Sequence, residues 1–145
     1  MPIIKVSISD LGFQDIEKDV GFQEIEKEAA IGKIVERLTE STVRVLKKDR
    51  ELVVVKVEEG SSNAWFVSGS ELSPSASPIF EVEIKVTEGT NSQEEVSTWV
   101  REVFETMKQI LGEGSSPNYI SVQQIPQEFW GYNGLTQYGR KKWAS

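Results

Sequence analysis

Few residues in this chain are equipped for covalent or proton-transfer chemistry. It has no histidine and no cysteine. That excludes imidazole-based triads and metal sites, thiolate zinc sites, a cysteine nucleophile and disulfides, while leaving the redox compartment open. The residue that stands out is Pro2, directly after Met1. A proline there favours excision of the methionine, which would leave a secondary amine as the chain terminus. A free α-amine titrates near roughly 7.7–8.0, below any lysine. Burial beside Ile3, Ile4 and an aromatic hairpin would disfavour the ammonium further and leave a neutral base at cellular pH. Such an amine can take a proton from one carbon of an enol or keto acid and return it to another, or attack a carbonyl as a nucleophile. While Met1 is in place the same nitrogen is a tertiary amide and can do neither. Proline at position 2 is also simply a processing-compatible residue, so Pro2 alone does not choose.

Three aromatic residues are candidates to build a pocket around such an amine. Trp65 and Trp130 precede glycine-containing turns; an indole there would exclude water and lower the amine's pKa, although a hairpin tryptophan serves as often as an oligomer contact. Tyr132 can donate a hydrogen bond to a substrate oxygen, or stand half-exposed on its hairpin. Arg140, Lys141 and Lys142 form a basic tail that reads best as a solvated terminus, with a reach toward a neighbouring subunit as the sharper alternative.

The elements that must position these residues come in two copies. Residues 2–8 (PIIKVSI) recur 76 positions later at 78–84 (PIFEVEI), with Ile4, Val6 and Ile8 answering to Phe80, Val82 and Ile84. Apolar residues at period 2 predict a strand with one buried face. In the second copy Val96, Trp99, Val100, Val103, Phe104, Met107, Ile110 and Leu111 fall on one helical stripe, about five turns long. Ser92 with Glu95 is a capping-box signature, and Gly112 suits a helix end. At an offset of 65 the stripe superposes on Ile31, Ile34, Val35, Leu38, Val45 and Leu46. The same offset pairs Val55 and Val57 with Ile120 and Val122, Trp65 with Trp130, and Gly69 with Gly134. The chain therefore reads as one domain, 1–145, of two β-α-β units: 1–72 and 78–145, joined by the turn-rich linker 73–77. The first unit is 11 residues longer between strand and helix, and a nine-residue tandem duplication at 12–29 accounts for nine of them. It predicts a lengthened loop or an extra helical turn, with a tolerated surface insertion as the plainest role.

Each unit makes a parallel strand pair with a right-handed crossover. Two of them give an α+β (α/β) fold with a four-stranded sheet and two helices on one face. Composition is that of a globular chain, 38% hydrophobic and 27% charged, and no apolar run approaches the roughly 20 residues of a membrane span. The N-terminus alternates where a secretory signal needs a continuous apolar block, so the expected location is cytoplasmic. A net charge of −7 would repel a phosphate backbone, so nucleic acid is not an expected partner, and with no spanning apolar run neither is a membrane.

Two architectures fit this topology, the ferredoxin-like fold and the tautomerase fold. Met1-Pro2-Ile3-Ile4-Lys5-Val6 resembles the opening of the 4-oxalocrotonate tautomerase family, whose members begin with proline once methionine is removed. Residues 86–92 (VTEGTNS) resemble that family's strand-to-helix turn. Residues 63–69 (NAWFVSG) and 128–134 (EFWGYNG) resemble its aromatic–glycine hairpin. The resemblance spans nearly the whole chain. It implies a fused, two-unit member of the tautomerase superfamily, related to its dehalogenase- and decarboxylase-like branch and assembled as a homotrimer. It further implies a cofactor-free, metal-free tautomerase or isomerase with Pro2 as catalytic base and a small unsaturated or keto acid as substrate.

The sequence departs from the family at its substrate-binding arginines. Those expected after the first strand fall on Gly12 and Thr90, and those on the second strand on Val54 and Tyr119. The paired arginines of dehalogenase-like members would fall near Thr87 and Thr90. Threonine cannot replace a guanidinium fork, so tight dicarboxylate binding is not expected. Lys56 is the nearest substitute, on the same side of its strand as Val54; the plainer reading is a solvated strand lysine. The competing implication is a non-catalytic oligomeric binding or scaffold protein that keeps the fold. Pro78 matches Pro2 but is internal and can only be structural.

Overall fold

The computed structural model describes residues 1–10, 20–60, 64–73 and 76–143. Strand β1 (Ile3–Ile8) leads to helix α1 (Val20–Val45), a 3-10 turn (Arg50–Leu52) and strand β2 (Val54–Glu59). A short hairpin follows, β3 (Phe66–Val67) and β4 (Ser70–Glu71). The pattern then repeats as β5 (Phe80–Thr87), α2 (Gln93–Leu111), β6 (Tyr119–Ile125) and a second hairpin, β7 (Gly131–Tyr132) and β8 (Leu135–Thr136), before a terminal helix α3 (Gln137–Trp143).

The main sheet runs β2-β1-β5-β6. Its outer pairs are parallel and its central pair, β1 with β5, antiparallel. In that central pair Ile4 faces Ile84, Val6 faces Val82 and Ile8 faces Phe80. Residues 76 positions apart thus sit at opposite ends of the pair, and the two β-α-β units are related by a pseudo-twofold axis through its middle. All six of these side chains are buried, together with Ile34, Leu38, Leu46, Trp99, Val103 and Met107. Both long helices therefore cover one face of the sheet, as the two helical stripes predict. Where the helices meet, the Trp99 indole donates to Thr42 Oγ1 at 3.1 Å, and that hydroxyl donates to Leu38 O at 2.7 Å. A polar pair in the core is tolerated because both groups are satisfied. Arg37 to Gln109 (2.7 Å) and Ser41 to Glu102 (3.0 Å) close the rim.

Helix α2 starts as its sequence requires. Ser92 Oγ accepts from Glu95 N–H at 3.1 Å, and Glu95 Oε1 accepts from Ser92 N–H at 2.9 Å, a complete capping box. The second copy of the nine-residue duplicate, Gly21–Ala29, lies within α1 and lengthens it by turns. Most of the first copy, residues 12–19, lies outside the described residues, as do 74 and 75 of the expected linker. Among the described residues no helix is long and apolar enough to cross a membrane.

Candidate active site

A cavity of about 360 Å³ opens at the start of β1, lined by Met1, Pro2, Ile3, Glu51, Leu52, Val54, Trp130, Gly131, Tyr132 and Asn133. Three segments far apart in sequence build it. Pro2 is buried, and its carbonyl accepts from Val54 N–H at 3.3 Å, which ties the start of β1 to the start of β2. The 3-10 turn is closed by Leu52 N–H on Asp49 O at 3.0 Å and carries Glu51 and Leu52 to the cavity. The β7–β8 hairpin forms the opposite wall. Asn133 and Gly134 turn it with φ of 50° and 89°, the left-handed pair that a tight two-residue hairpin requires. Gly131 is needed for a different reason, since a Cβ there would lie 1.9 Å from Leu135 O.

The two aromatic residues of this wall are held from behind. The Trp130 indole donates to Thr87 Oγ1 at 3.1 Å. Arg140 lies over the Tyr132 ring, its guanidinium carbon 3.6 Å from the ring centre, and donates to the Tyr132 carbonyl at 2.6 Å. The Arg140 Nε is buried and has no hydrogen-bond partner among the described residues. Arg140, read from sequence as a solvated tail residue, is thus part of the wall's support; α3 brings it back onto the hairpin, with Tyr138 N–H on Gln127 O at 2.9 Å.

Electrostatics at the cavity favour a neutral amine. The terminal amine, which is that of Met1 here, is held below its ordinary value of 8.0, first by burial and then by the Lys48 ammonium, with Asp49 opposing. Lys48 is itself lowered by burial, with Glu95 opposing. Its Nζ donates to Thr90 Oγ1 at 2.8 Å, and that hydroxyl donates to Thr87 O at 2.6 Å. Thr87 and Thr90, where the family resemblance would put arginines, are therefore structural: one holds Trp130, the other Lys48. Nothing in the spacing around Lys48 marks it, because it sits in the loop after α1, where no periodicity applies.

Pro2, Trp130 and Tyr132 are thus brought together, whereas Lys56 and Trp65 are not. Lys56 is exposed on β2 with its Nζ 3.0 Å from Glu58 Oε1; Lys5 approaches the other oxygen of the same carboxylate at 3.6 Å. The Glu58 carboxyl is held below the usual range by its hydrogen bond to Lys56 and then by the Lys5 charge. Trp65 lines a separate cavity with Phe66, Ile79, Glu81, Pro117 and Tyr119. The pseudo-twofold axis explains the separation, since it carries equivalent residues to opposite ends of the β1–β5 pair.

No protein-family model and no curated protein sequence matches the chain. Solved structures do match it. A fused 4-OT wild-type symmetric trimer superposes with a TM-score of 0.72 at 16% identity, covering 94% of this chain and 97% of that one. Pt0534 inactivated by 2-oxo-3-pentynoate gives 0.71 at 14% identity over 94% and 97%. A macrophage migration inhibitory factor homologue from Prochlorococcus marinus gives 0.62 at 19% identity over 92% and 97%. The chain has the fold of the tautomerase superfamily. Its two tandem β-α-β units correspond in extent to a fused 4-OT chain.

Proposed function

We propose that this chain is a cofactor-free tautomerase or isomerase in which Pro2, once Met1 is removed, acts as general base on a small unsaturated or keto acid. The observation that carries the reading is the burial of Pro2 in a cavity walled by Trp130 and Tyr132, at a terminus where burial and the Lys48 charge already lower an amine's pKa. A neutral secondary amine there would take a proton from one carbon and return it to another. The Tyr132 hydroxyl would donate to the developing enolate oxygen, and the indole of Trp130 would keep water out. Lys48 and Arg140 are engaged on Thr90 and Tyr132 and neither lines the cavity. Glu51, exposed at the mouth, works against an anion, so weak saturation by a carboxylate substrate is expected. The working form is a homotrimer packed through the helix-free face of the sheet, in the cytoplasm.

Intact-mass measurement establishes the form in hand, and 2-oxo-3-pentynoate then serves as the probe. The Met1-free protein should gain one equivalent of label on Pro2 and ketonise phenylenolpyruvate, while a form retaining Met1 should do neither. Met1-free protein that takes no label and moves no proton would shift the reading to a non-catalytic oligomeric binding or scaffold protein. The specific observation behind that second reading is that Thr87 and Thr90 are occupied in holding Trp130 and Lys48.

A further inference from the structure

The pseudo-twofold axis produces a second cavity, of about 420 Å³, and its chemistry differs from that of the first. Position by position the two correspond. Trp65, Phe66 and Val67 stand where Trp130, Gly131 and Tyr132 stand, Pro117 and Tyr119 replace Leu52 and Val54, and Ile79 replaces Ile3. Pro78 is the counterpart of Pro2, but its nitrogen is bonded to Ser77, so no base can form there. Two changes alter what the cavity can hold. Gly131 of the β7–β8 hairpin is replaced by Phe66, 61% exposed, and Val54 by Tyr119, 68% exposed, so two aromatic rings are added beside Trp65. At the position of Lys5 the second unit has Glu81, which lines the cavity half-buried and makes no ion pair among the described residues.

We propose that the Trp65 cavity is a second, non-catalytic binding site for a small organic ammonium ion carrying an apolar body. Aromatic faces attract a cation through their quadrupoles, most strongly when the site is partly desolvated. A half-buried carboxylate that pairs with no cation among the described residues adds a charge that such a ligand would satisfy and a carboxylate ligand would not. The cavity thus selects against the acids proposed for the Pro2 site. The inference stands whether or not Pro2 is catalytic, because no residue of that site enters it.

The test is ¹⁹F NMR on the full chain labelled with 5-fluorotryptophan, using benzylammonium as probe and phenylacetate as its charge-reversed control. Benzylammonium should give a saturable shift of the Trp65 resonance with those of Trp130 and Trp99 unmoved. Phenylacetate should bind at least tenfold more weakly at Trp65. Glu81→Gln should raise the benzylammonium dissociation constant at least tenfold, and Tyr119→Ala should weaken it likewise, with the unmoved Trp99 resonance reporting an intact core in each variant. Equal binding of the two probes, a shift at Trp130 in place of Trp65, no shift at either, or unchanged affinity in Glu81→Gln would each overturn the proposal. A Trp65 cavity closed by a second copy of the chain would show as no shift and counts against it in the same way.

Discussion

At the scale of single residues, the feature that matters most is the pair of charges bracketing the terminal amine. Burial lowers the amine first, the Lys48 ammonium lowers it further, and Asp49 opposes both. An amine lowered in this way is neutral over a wider range, so the activity proposed for Pro2 should rise with pH and level off once that amine is deprotonated. The stability sign follows from the same shift. The unfolded chain binds the proton more readily than the folded one, so stability rises with pH through the interval between the folded value and 8.0. Lys48→Met removes the second cause. Its kcat/KM profile should move toward higher pH while plateau kcat stays within a few-fold, and the amine's titration followed by NMR should move the same way. A profile that does not move would show that Lys48 only fastens Thr90. Trp130 tests the wall separately. Trp130→Ala should cut phenylenolpyruvate ketonisation by an order of magnitude or more, because water enters and the cavity loses its fixed side.

At the scale of elements, the capping box of α2 gives a prediction with a sign. Ser92→Ala should cost about 1 kcal/mol in chemical denaturation. The Glu95 carboxyl is held below its ordinary 4.5, first by the Ser92 backbone N–H and then by Asn91. The stability it adds is present above the unfolded value and lost as pH falls through the folded one. The gap between wild type and Glu95→Gln should therefore shrink on acidification below 4.5. These elements were legible in the sequence because burial on one face imposes period 2 on β1 and β5 and a helical stripe on α1 and α2. The site was legible in part. Pro2, Trp130 and Tyr132 converge, since the strand opening and the hairpin carry local signals. Lys48 and Arg140 carry none, because what brings them in is the tertiary path of a loop and the return of α3. Trp65 was grouped with Trp130 from their shared hairpin motif, yet the pseudo-twofold axis requires repeat-related residues to serve different cavities. The duplicate offers a test of tolerance. Among the side chains the structure describes, the first buried one of α1 is Ala30, so deleting Gly12 to Val20 should leave a folded protein with its thermal midpoint lowered by no more than about 4 °C. An insoluble product would show that the first copy packs against the core.

At the scale of the whole molecule, the sheet has one face covered by helices and one that, among the described residues, is not. The uncovered face is a grid of three rows across β2-β1-β5-β6: Val54, Ile3, Lys85 and Gln123; then Lys56, Lys5, Glu83 and Ser121; then Glu58, Ser7, Glu81 and Tyr119. Its apolar members are Val54 and Ile3 at the start of the first row and Tyr119 at the end of the third, exposed by 54%, 42% and 68%. Lysines and glutamates fill the middle, with Lys5 and Lys56 both on Glu58. A sheet normally needs a second layer, and a face with apolar corners and paired charges suits a polar-centred subunit contact better than open solvent. The prediction is a particle of three chains at micromolar concentration by light scattering. The double substitution of Lys5 and Lys56 by glutamate would set two new carboxylates beside Glu58 and Glu83. Repulsion at close range in a partly desolvated contact should then split the particle into single chains without unfolding them, since none of these side chains is in the core. Circular dichroism would report the fold and light scattering the mass, so the two effects separate. A wild-type protein that is monomeric under these conditions would show that the grid is a solvated surface and that the cavities at its two ends are complete within one chain.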